Sequence, residues 1–245
     1  MSHDDVLVVK LGGGEGLDLP ASCADLAAIA RERPLVVFHG VSAMMNQLCQ
    51  QRGFEVRTLT SPGGHASRYT DPQTRDLFVE AAEAVNSMVV AELRSHGIDA
   101  VGLVADQVVV HGQRKDAIRA MMNGRRVVIR DDYSGSITSV DGDRLRAVLD
   151  AGQVPVLPPM AASADGLLNI DGDRGGAAVA VALQAAEYVI LSNVRGLYSN
   201  FPDESSFVPH VAGTKIESAL EWAQGRMKRK VLGAQEALQG GVGRV

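Results

Sequence analysis

The chain has 245 residues, 46% hydrophobic and 22% charged, with a formal net charge of −5. That size and balance exclude a disordered or fibrous chain and allow one α/β domain or two small lobes. The acidic balance argues against a general nucleic-acid binder, no apolar run reaches the length of a membrane span, and the acidic start lacks the basic region of a signal peptide.

Val6–Leu11 is a short apolar run suited to a buried strand. Lys10 lies at its end and Gly12, Gly13 and Gly14 follow at once. Glycines let the main chain turn and let a ligand approach it. Successive N–H groups there can cradle an anion, and a neighbouring lysine adds a point charge. Alone, the segment reads equally well as a tight strand-to-helix connection. Ala21–Arg31 predicts a helix, and Pro34–Gly40 a second buried strand ending at His39-Gly40. Val41, Met44, Met45 and Leu48 then make a helix face, with Ser42 as a candidate cap. Cys23 and Cys49 fall in these helices outside any CxxC or HExxH pattern, which fits a reducing compartment and no structural zinc.

Glu55–Leu59 predicts a short strand and Ser61–Asp71 a polar, Gly-rich loop. A long helix is expected from Pro72 to His96, with Pro72 in its first turn and Gly97 at its end. Ala100–Leu103 and Val108–Val110 are short apolar runs. Arg125–Arg130 and Ser136–Val140 flank Tyr133-Ser-Gly, which predicts a hairpin. Asp143–Ala151 predicts a helix, Val154–Leu157 a strand, and Leu167–Ile170 the start of a further motif. Ala177–Ala186 is a helix, Tyr188–Leu191 a buried strand, and Lys215–Gln224 and Met227–Leu238 are helices. The alternation predicts a mainly parallel, doubly wound sheet with 108–140 as an appended element.

In such a sheet the ends of the first two strands share one edge, where ligands bind. His39 is read first as a packed or hydrogen-bonded structural histidine. Asn169, Asp171 and Asp173 alternate, so they point the same way if extended. The pattern resembles a calcium loop, but position 12 from Asn169 is Ala180 rather than glutamate. Asp173 serves equally as the cap of the following helix. Gly225-Arg-Met-Lys-Arg-Lys230 precedes a helix and reads as a phosphate-attracting terminus or as a solvated basic face. Arg114, Lys115, Arg119, Arg125, Arg126 and Arg130 stand out in an acidic chain. They read as a docking patch for an acidic partner or as a hairpin kept soluble by arginine.

Together these motifs resemble the amino acid kinase superfamily. Lys10 with its glycines, His39-Gly40, Asn169-x-Asp-x-Asp173, Leu191–Leu197 and Gly225-x-Met-x-x-Lys230 occur in that order over nearly the whole chain. Within it, Gly64–Asp71, Arg114-Lys115 with Tyr133-Ser-Gly, Asn200–Ser206 and Gly225–Ala234 are most similar to one group. That group phosphorylates aminoadipate or glutamate attached to an amino-group carrier protein in lysine and arginine biosynthesis. The resemblance implies a three-layer αβα fold with an open, mainly parallel sheet of the carbamate kinase type and an inserted β-hairpin. It implies one domain over 1–245, with a substrate lobe to about residue 170 and an ATP lobe from about 171.

The implied reaction is ATP-dependent phosphorylation of a side-chain carboxylate to an acyl phosphate. A carboxylate is ionised at neutral pH, so no general base is needed. Catalysis reduces to alignment and charge neutralisation. By the same resemblance Lys10 and Lys230 flank the transferring group and Asp173 orients them. The N–H groups of Gly12, Gly13, Gly40 and Val41 cradle phosphate or substrate oxygens. Arg68 binds a substrate carboxylate and Asn169 its amide portion. Ser192, Asn193, Gly196, Leu197 and Met227 face the nucleotide. Magnesium is expected through the ATP phosphates, with no protein metal cage. Arg114, Lys115, Arg119, Arg125 and Arg126 are the expected docking residues for the small acidic carrier. A cytoplasmic homodimer packed through the helix after Arg68 completes the expectation.

The chain departs from the family in three places. Val41 replaces a glycine and is expected to crowd the phosphate cradle. Gly172, Gly175 and Gly176 replace alanines and are expected to loosen the helix start by up to about 1 kcal/mol each. The sequence ends at Val245, where the family continues through further strands. Two other readings stay open: an N-acetylglutamate kinase acting on free substrate, for which the arginines are idle, and a catalytically impaired nucleotide-binding regulatory protein.

Overall fold

Strand β1 (Leu7–Leu11) is buried along its whole length, and each side of its alternation meets a separate apolar layer. Val8 joins Val36 and Phe38 in one layer, while Leu7, Val9 and Leu11 join Leu35 and Val37 in the other. A strand apolar on both faces needs helices on both faces. Helix α1 (Leu19–Ala30) covers the second layer with Cys23, Leu26 and Ala27. The computed structural model describes residues 5–60, 66–122 and 125–245.

Strand β2 (Leu35–His39) leads into α2 (Ser42–Gln51). A hairpin of β3 (Thr58–Thr60) and β4 (Ala66–Arg68) precedes α3 (Pro72–Ser95). The expected Gly-rich loop is therefore partly strand. Residues 61–65 of it, including Gly64 and His65 of the carrier-kinase motif, lie outside the described residues. Strands β5 (Ala100–Gly102), β6 (Val110–Arg114), β7 (Ile118–Met122), β8 (Arg125–Ile129) and β9 (Gly135–Val140) run to α4 (Gly142–Asp150). Then come β10 (Val154–Leu157), β11 (Met160–Ser163), β12 (Gly166–Asn169), α5 (Gly172–Leu183) and β13 (Glu187–Ile190). The short pair β14 (Leu197–Tyr198) and β15 (Phe207–Val208) precedes α6 (Ile216–Trp222) and α7 (Gly225–Gln239).

The central sheet has the order β13-β1-β2-β10-β5 and all its pairs are parallel. This is the expected open α/β sheet between helical layers. Beside the edge strand β13, the carbonyl of Arg244 accepts from Tyr188 N–H at 2.9 Å. Two four-stranded sheets, β12-β11-β6-β9 and β4-β3-β7-β8, take up the expected appended region. The predicted hairpin is corrected in its pairing. Strand β8 pairs with β7 and β9 with β6, so Tyr133-Ser-Gly is a crossing between two sheets. An inserted hairpin is present, but it is β7–β8.

Two helix starts also differ from expectation. Ser42 is the first helical residue of α2, and Val41 occupies the cap position without a side-chain bond. The carbonyl of Gly13 accepts from Ala43 N–H at 2.6 Å and does the work of the cap. Helix α5 begins at Gly172, with Asp171 capping the N–H groups of Asp173 and Arg174. Asn169, Asp171 and Asp173 are therefore not one extended face: Asn169 ends a strand, Asp171 caps, and Asp173 lies in the first turn.

Candidate active site

The parallel pairing of β1 with β2 sets Leu11 beside His39, so the two glycine turns emerge side by side. They touch backbone to backbone. A Cβ on Gly13 would lie 2.3 Å from Gly40 C and Val41 N, and one on Gly40 would lie 2.5 Å from Gly13 N. Neither position accepts a side chain. Val41 is 5% exposed, and its side chain packs with Met45 and Phe78 in the core. The expected crowding of the cradle is corrected: the branched side chain points away into the apolar layer.

Lys10 is buried at the end of β1, and its Nζ lies 2.9 Å from Asp173 Oδ1. Lys230 Nζ reaches the same carboxylate, 3.3 Å from Oδ1 and 3.2 Å from Oδ2. Lys230 lies inside α7, since the helix starts at Gly225 rather than after the basic run. Helix α7 approaches α5 this closely because a Cβ on Gly233 would sit 2.8 Å from the carbonyl of Asp173. Tyr188 Oη donates to that carbonyl at 2.7 Å and fixes it from the sheet side. Burial lowers the Lys230 pKa, and the ammonium of Lys10 lowers it further. One carboxylate thus holds two cations at the sheet edge, where an anion between them would relieve their repulsion.

The glycines after Asp171 have partners that no local pattern reveals. A Cβ on Gly175 would lie 2.5 Å from Phe38 Cζ, and one on Gly176 would lie 2.5 Å from Tyr188 Oη. They are close-packing sites for two buried rings. This corrects the expectation of a merely loosened helix start.

Arg68 ends β4 and its Nη2 donates to Asn46 Oδ1 at 2.8 Å. Its Nη1 is buried and, among the described residues, has no hydrogen-bond partner. Burial, with Arg226 nearby, lowers its pKa. Asn169 Nδ2 donates to Thr70 Oγ1 at 3.0 Å, and Thr70 Oγ1 donates to the carbonyl of Arg68 at 3.2 Å. Buried Asp132 accepts from Thr70 N–H at 2.9 Å and from Ser134 N–H at 2.7 Å. Thr70 and Asp132 were not singled out from the sequence. The available signal was Thr70 lying two residues after the arginine.

His39 is buried, with Nε2 3.1 Å from Asn86 Nδ2 and Nδ1 3.3 Å from the carbonyl of Gly40. Burial pushes its pKa down to about 4. These partners fit the reading of a structural histidine that steadies the second turn. Gly12 packs on the end of β13, where its Cβ would lie 3.1 Å from the Leu191 carbonyl. Ser192 follows there. Asn193 Nδ2 donates to the carbonyl of Glu15 at 3.0 Å, beyond the first turn. Gly196 carries a φ of +156°, and Leu197 packs with Met227, Trp222 and Val231 in a satellite apolar cluster.

The basic residues separate into two groups. Arg114 is not a free docking cation. It lies 4.2 Å over the Tyr133 ring, and its Nε donates to the carbonyl of Asp132 at 2.9 Å. Arg75 covers the same ring at 4.5 Å. Lys115, Arg119, Arg125 and Arg126 are exposed. Opposite partners in a sheet share a face. Arg119 pairs with Val128 and Met121 with Arg126, so Arg119 and Arg126 share one face while Arg125 has the other parity. Through Thr60↔Met121 and Thr58↔Arg68, that face continues to Arg68.

Among the described residues no three His, Cys, Asp or Glu side chains gather as a metal site. A surface groove of about 360 Å³ between β9 and α5 contains none of the site residues above.

An open parallel sheet with two abutting glycine turns and a paired-lysine edge defines an α/β protein with its candidate site at the ends of β1 and β2. The chain belongs to the amino acid kinase family, whose model matches residues 5–245, and it is a kinase. It is 43% identical to a LysW-aminoadipate kinase of Deinococcus radiodurans over 98% of this chain and 84% of that protein. It is 41% identical to one of Thermus thermophilus, over 98% of this chain and 91% of that protein. Among solved structures, N-acetylglutamate synthase of Neisseria gonorrhoeae matches with a TM-score of 0.74 and 25% identity. That match covers 97% of this chain and about half, 52%, of the other. A carbamate kinase of Giardia lamblia matches with a TM-score of 0.67 and 14% identity, over 98% and 92% of the two chains, a likeness of fold.

Proposed function

We propose that the enzyme transfers the γ-phosphoryl group of ATP to the side-chain carboxylate of 2-aminoadipate or glutamate carried on a small acidic amino-group carrier protein. The observation that carries this reading is the Lys10–Asp173–Lys230 cluster at the edge that carries the Gly13/Gly40 contact, together with Arg68, whose Nη1 has no partner among the described residues. A carboxylate oxygen of the acceptor attacks the γ-phosphorus. The bond to the bridging oxygen breaks, ADP leaves, and an acyl phosphate forms. Lys10 and Lys230 neutralise charge on the transferring group, and Asp173 keeps both ammoniums in place. Gly12, Gly13 and Val41 offer N–H groups to phosphate or acceptor oxygens; the N–H of Gly40, expected in the same cradle, is instead taken by the carbonyl of Leu11 at 2.9 Å. Arg68 pairs with an acceptor carboxylate and Asn169 with its amide portion. Ser192, Asn193, Gly196, Leu197 and Met227 contact the nucleotide. Asp173 is committed to two lysines, so magnesium would be held mainly through the ATP phosphates, where it would supply further charge neutralisation.

The carrier is proposed to dock on the exposed face bearing Arg119 and Arg126, with Lys115 and Arg125 at its margins. In this reading residues to about 170 form the substrate lobe and those from 171 the ATP lobe. Homologues named for a LysW-bound substrate support it. No helix among the described residues is long and apolar enough to cross a membrane. A cytoplasmic homodimer through α3, which exposes Met88, belongs to the same proposal.

The test is hydroxylamine trapping of acyl phosphate with ATP, comparing carrier-bound with free aminoadipate, glutamate and N-acetylglutamate. Turnover confined to carrier-bound substrate, weakened by R119E/R126E, is expected. Equal turnover of free N-acetylglutamate, unaffected by that double variant, overturns the carrier assignment.

A further inference from the structure

One side chain, Arg229, carries helix α7 to the first residue of β4. Arg229 precedes Lys230, and its Nη2 donates to the carbonyl of Ala66, the first residue of β4. Its Nη1 lies 3.4 Å from Asp171 Oδ2. Asp171 is the carboxylate that caps α5 just before Asp173. Ala66 lies two residues before Arg68. One planar fork therefore spans the helix of Lys230, the helix start of Asp173 and the strand of Arg68. Among the described residues, no other hydrogen bond or ion pair joins α7 to β4. The Arg229 side chain is 34% exposed, so solvent screens its pair with Asp171 and its value for stability is small. The geometry favours position over stability. A lysine presents a single ammonium and cannot reproduce the fork toward a carbonyl and a carboxylate at once.

We infer that Arg229 is a positioning residue that couples the phosphoryl-binding end of the site to the strand bearing Arg68. Anion binding between Lys10 and Lys230 fixes the first turns of α7. Arg229 passes that order to β4, and an acceptor seated on Arg68 passes it back, since coupling between two sites is reciprocal. The inference rests on the proposed function only for the assignment of nucleotide to one end and acceptor to the other. If the Arg229–Asp171 pair were only structural, its removal would lower stability slightly and leave the two ends as they were.

Hydrogen exchange of the segment 66–70 separates these alternatives, because it needs nucleotide and no acceptor. In the wild-type enzyme, magnesium with a non-hydrolysable ATP analogue is expected to slow exchange there about tenfold, within the usual range of site-to-site coupling. In R229M the analogue should still bind while this slowing disappears. R229K should recover little of it. D171N keeps the α5 cap through the asparagine oxygen and should lose only part of the slowing. In turnover, R229M should raise the acceptor KM at saturating ATP about tenfold and the ATP KM at saturating acceptor by a similar factor, while the affinity for the ATP analogue without acceptor stays within about twofold. Slowing in R229M equal to wild type, no slowing in the wild type, or a lower melting temperature with both KM values unchanged would each overturn the inference. Failure of the proposed function has a different signature: no trapped acyl phosphate from any acceptor, whatever the exchange shows.

Discussion

The fit between Gly175 and Phe38 can be measured as a double-mutant cycle. A methyl on Gly175 would stand 2.5 Å from Phe38 Cζ and 3.1 and 3.2 Å from the two Cε atoms. Carbon atoms prefer about 3.5–4.0 Å, so the ring must retreat about 1 Å. Phe38 is fully buried, and a close-packed interior offers it nowhere to go. Such overpacking costs about 1–3 kcal/mol. Replacing a helical glycine by alanine returns about 0.5–1 kcal/mol. G175A should therefore destabilise by about 1–2 kcal/mol despite its better helix propensity. F38L leaves a void at the same place and should cost about 1–3 kcal/mol. In the double variant the methyl enters that void, so the combined loss should fall short of the sum by about 1–2 kcal/mol. Guanidinium unfolding of the four proteins, with m-values checked for constancy, gives the cycle. Additivity within about 0.5 kcal/mol, or a net gain from G175A alone, would refute the packing argument and restore the view of a loose helix start.

Asp173→Asn should leave two ammoniums facing each other, lower the Lys230 pKa still further, and cut acyl-phosphate formation at least about 100-fold. Its residual activity should decline with rising pH earlier than the wild type's; an unchanged rate and profile would remove the carboxylate from the mechanism. His39 has a folded pKa of about 4 against an ordinary 6.5, so the unfolded chain takes up its proton first as pH falls. The corresponding stability, about 3 kcal/mol, is present above pH 6.5 and lost between 6.5 and 4. Urea unfolding from pH 7 to 4 should show that step in the wild type and lack it in His39→Gln. Arg68→Gln should raise the acceptor KM about 10–100-fold, the value of a charged hydrogen bond, with the ATP KM unchanged. An equal rise in both would place Arg68 elsewhere in the reaction.

What the sequence made legible was local. Strands β1 and β2 announce themselves by apolar runs that end in glycine, and Pro72 and Gly97 bracket α3 almost to the residue. What it hid was supplied by distant chain. Ser42 has the chemistry of a cap, but the Gly13 carbonyl already serves the N-terminus of α2. Tyr133-Ser-Gly has the chemistry of a turn, yet β8 and β9 pair with β7 and β6, because turn residues do not state which strand the chain rejoins. The rings that require Gly175 and Gly176 come from β2 and β13. Arg114 reads as one more surface cation until Tyr133 is found beneath it. Asp132 belongs to no motif, and Thr70 and Arg229 lie in motifs that do not reveal their partners, because a hydrogen bond to a remote main chain leaves no periodicity behind.

The same contrast explains how the charged cluster is held. Breaking a buried ion pair costs about 3–5 kcal/mol, so Lys10, Asp173 and Lys230 persist only if the carboxylate cannot drift from either lysine. Three features fix it, and each acts on the backbone. Asp171 caps the N–H of Asp173, Tyr188 holds its carbonyl, and Gly233 lets α7 lie against that carbonyl. The cluster is thus set by helix and sheet geometry before any ligand arrives. Its charges sum to one excess cation, and burial together with Lys10 makes the Lys230 ammonium easier to deprotonate. In the proposed reaction a phosphoryl group entering between the lysines would supply the missing negative charge, with the Asp173 carboxylate already in place to receive both ammoniums. In a preorganised site, that is where electrostatic stabilisation of a transition state has its greatest effect.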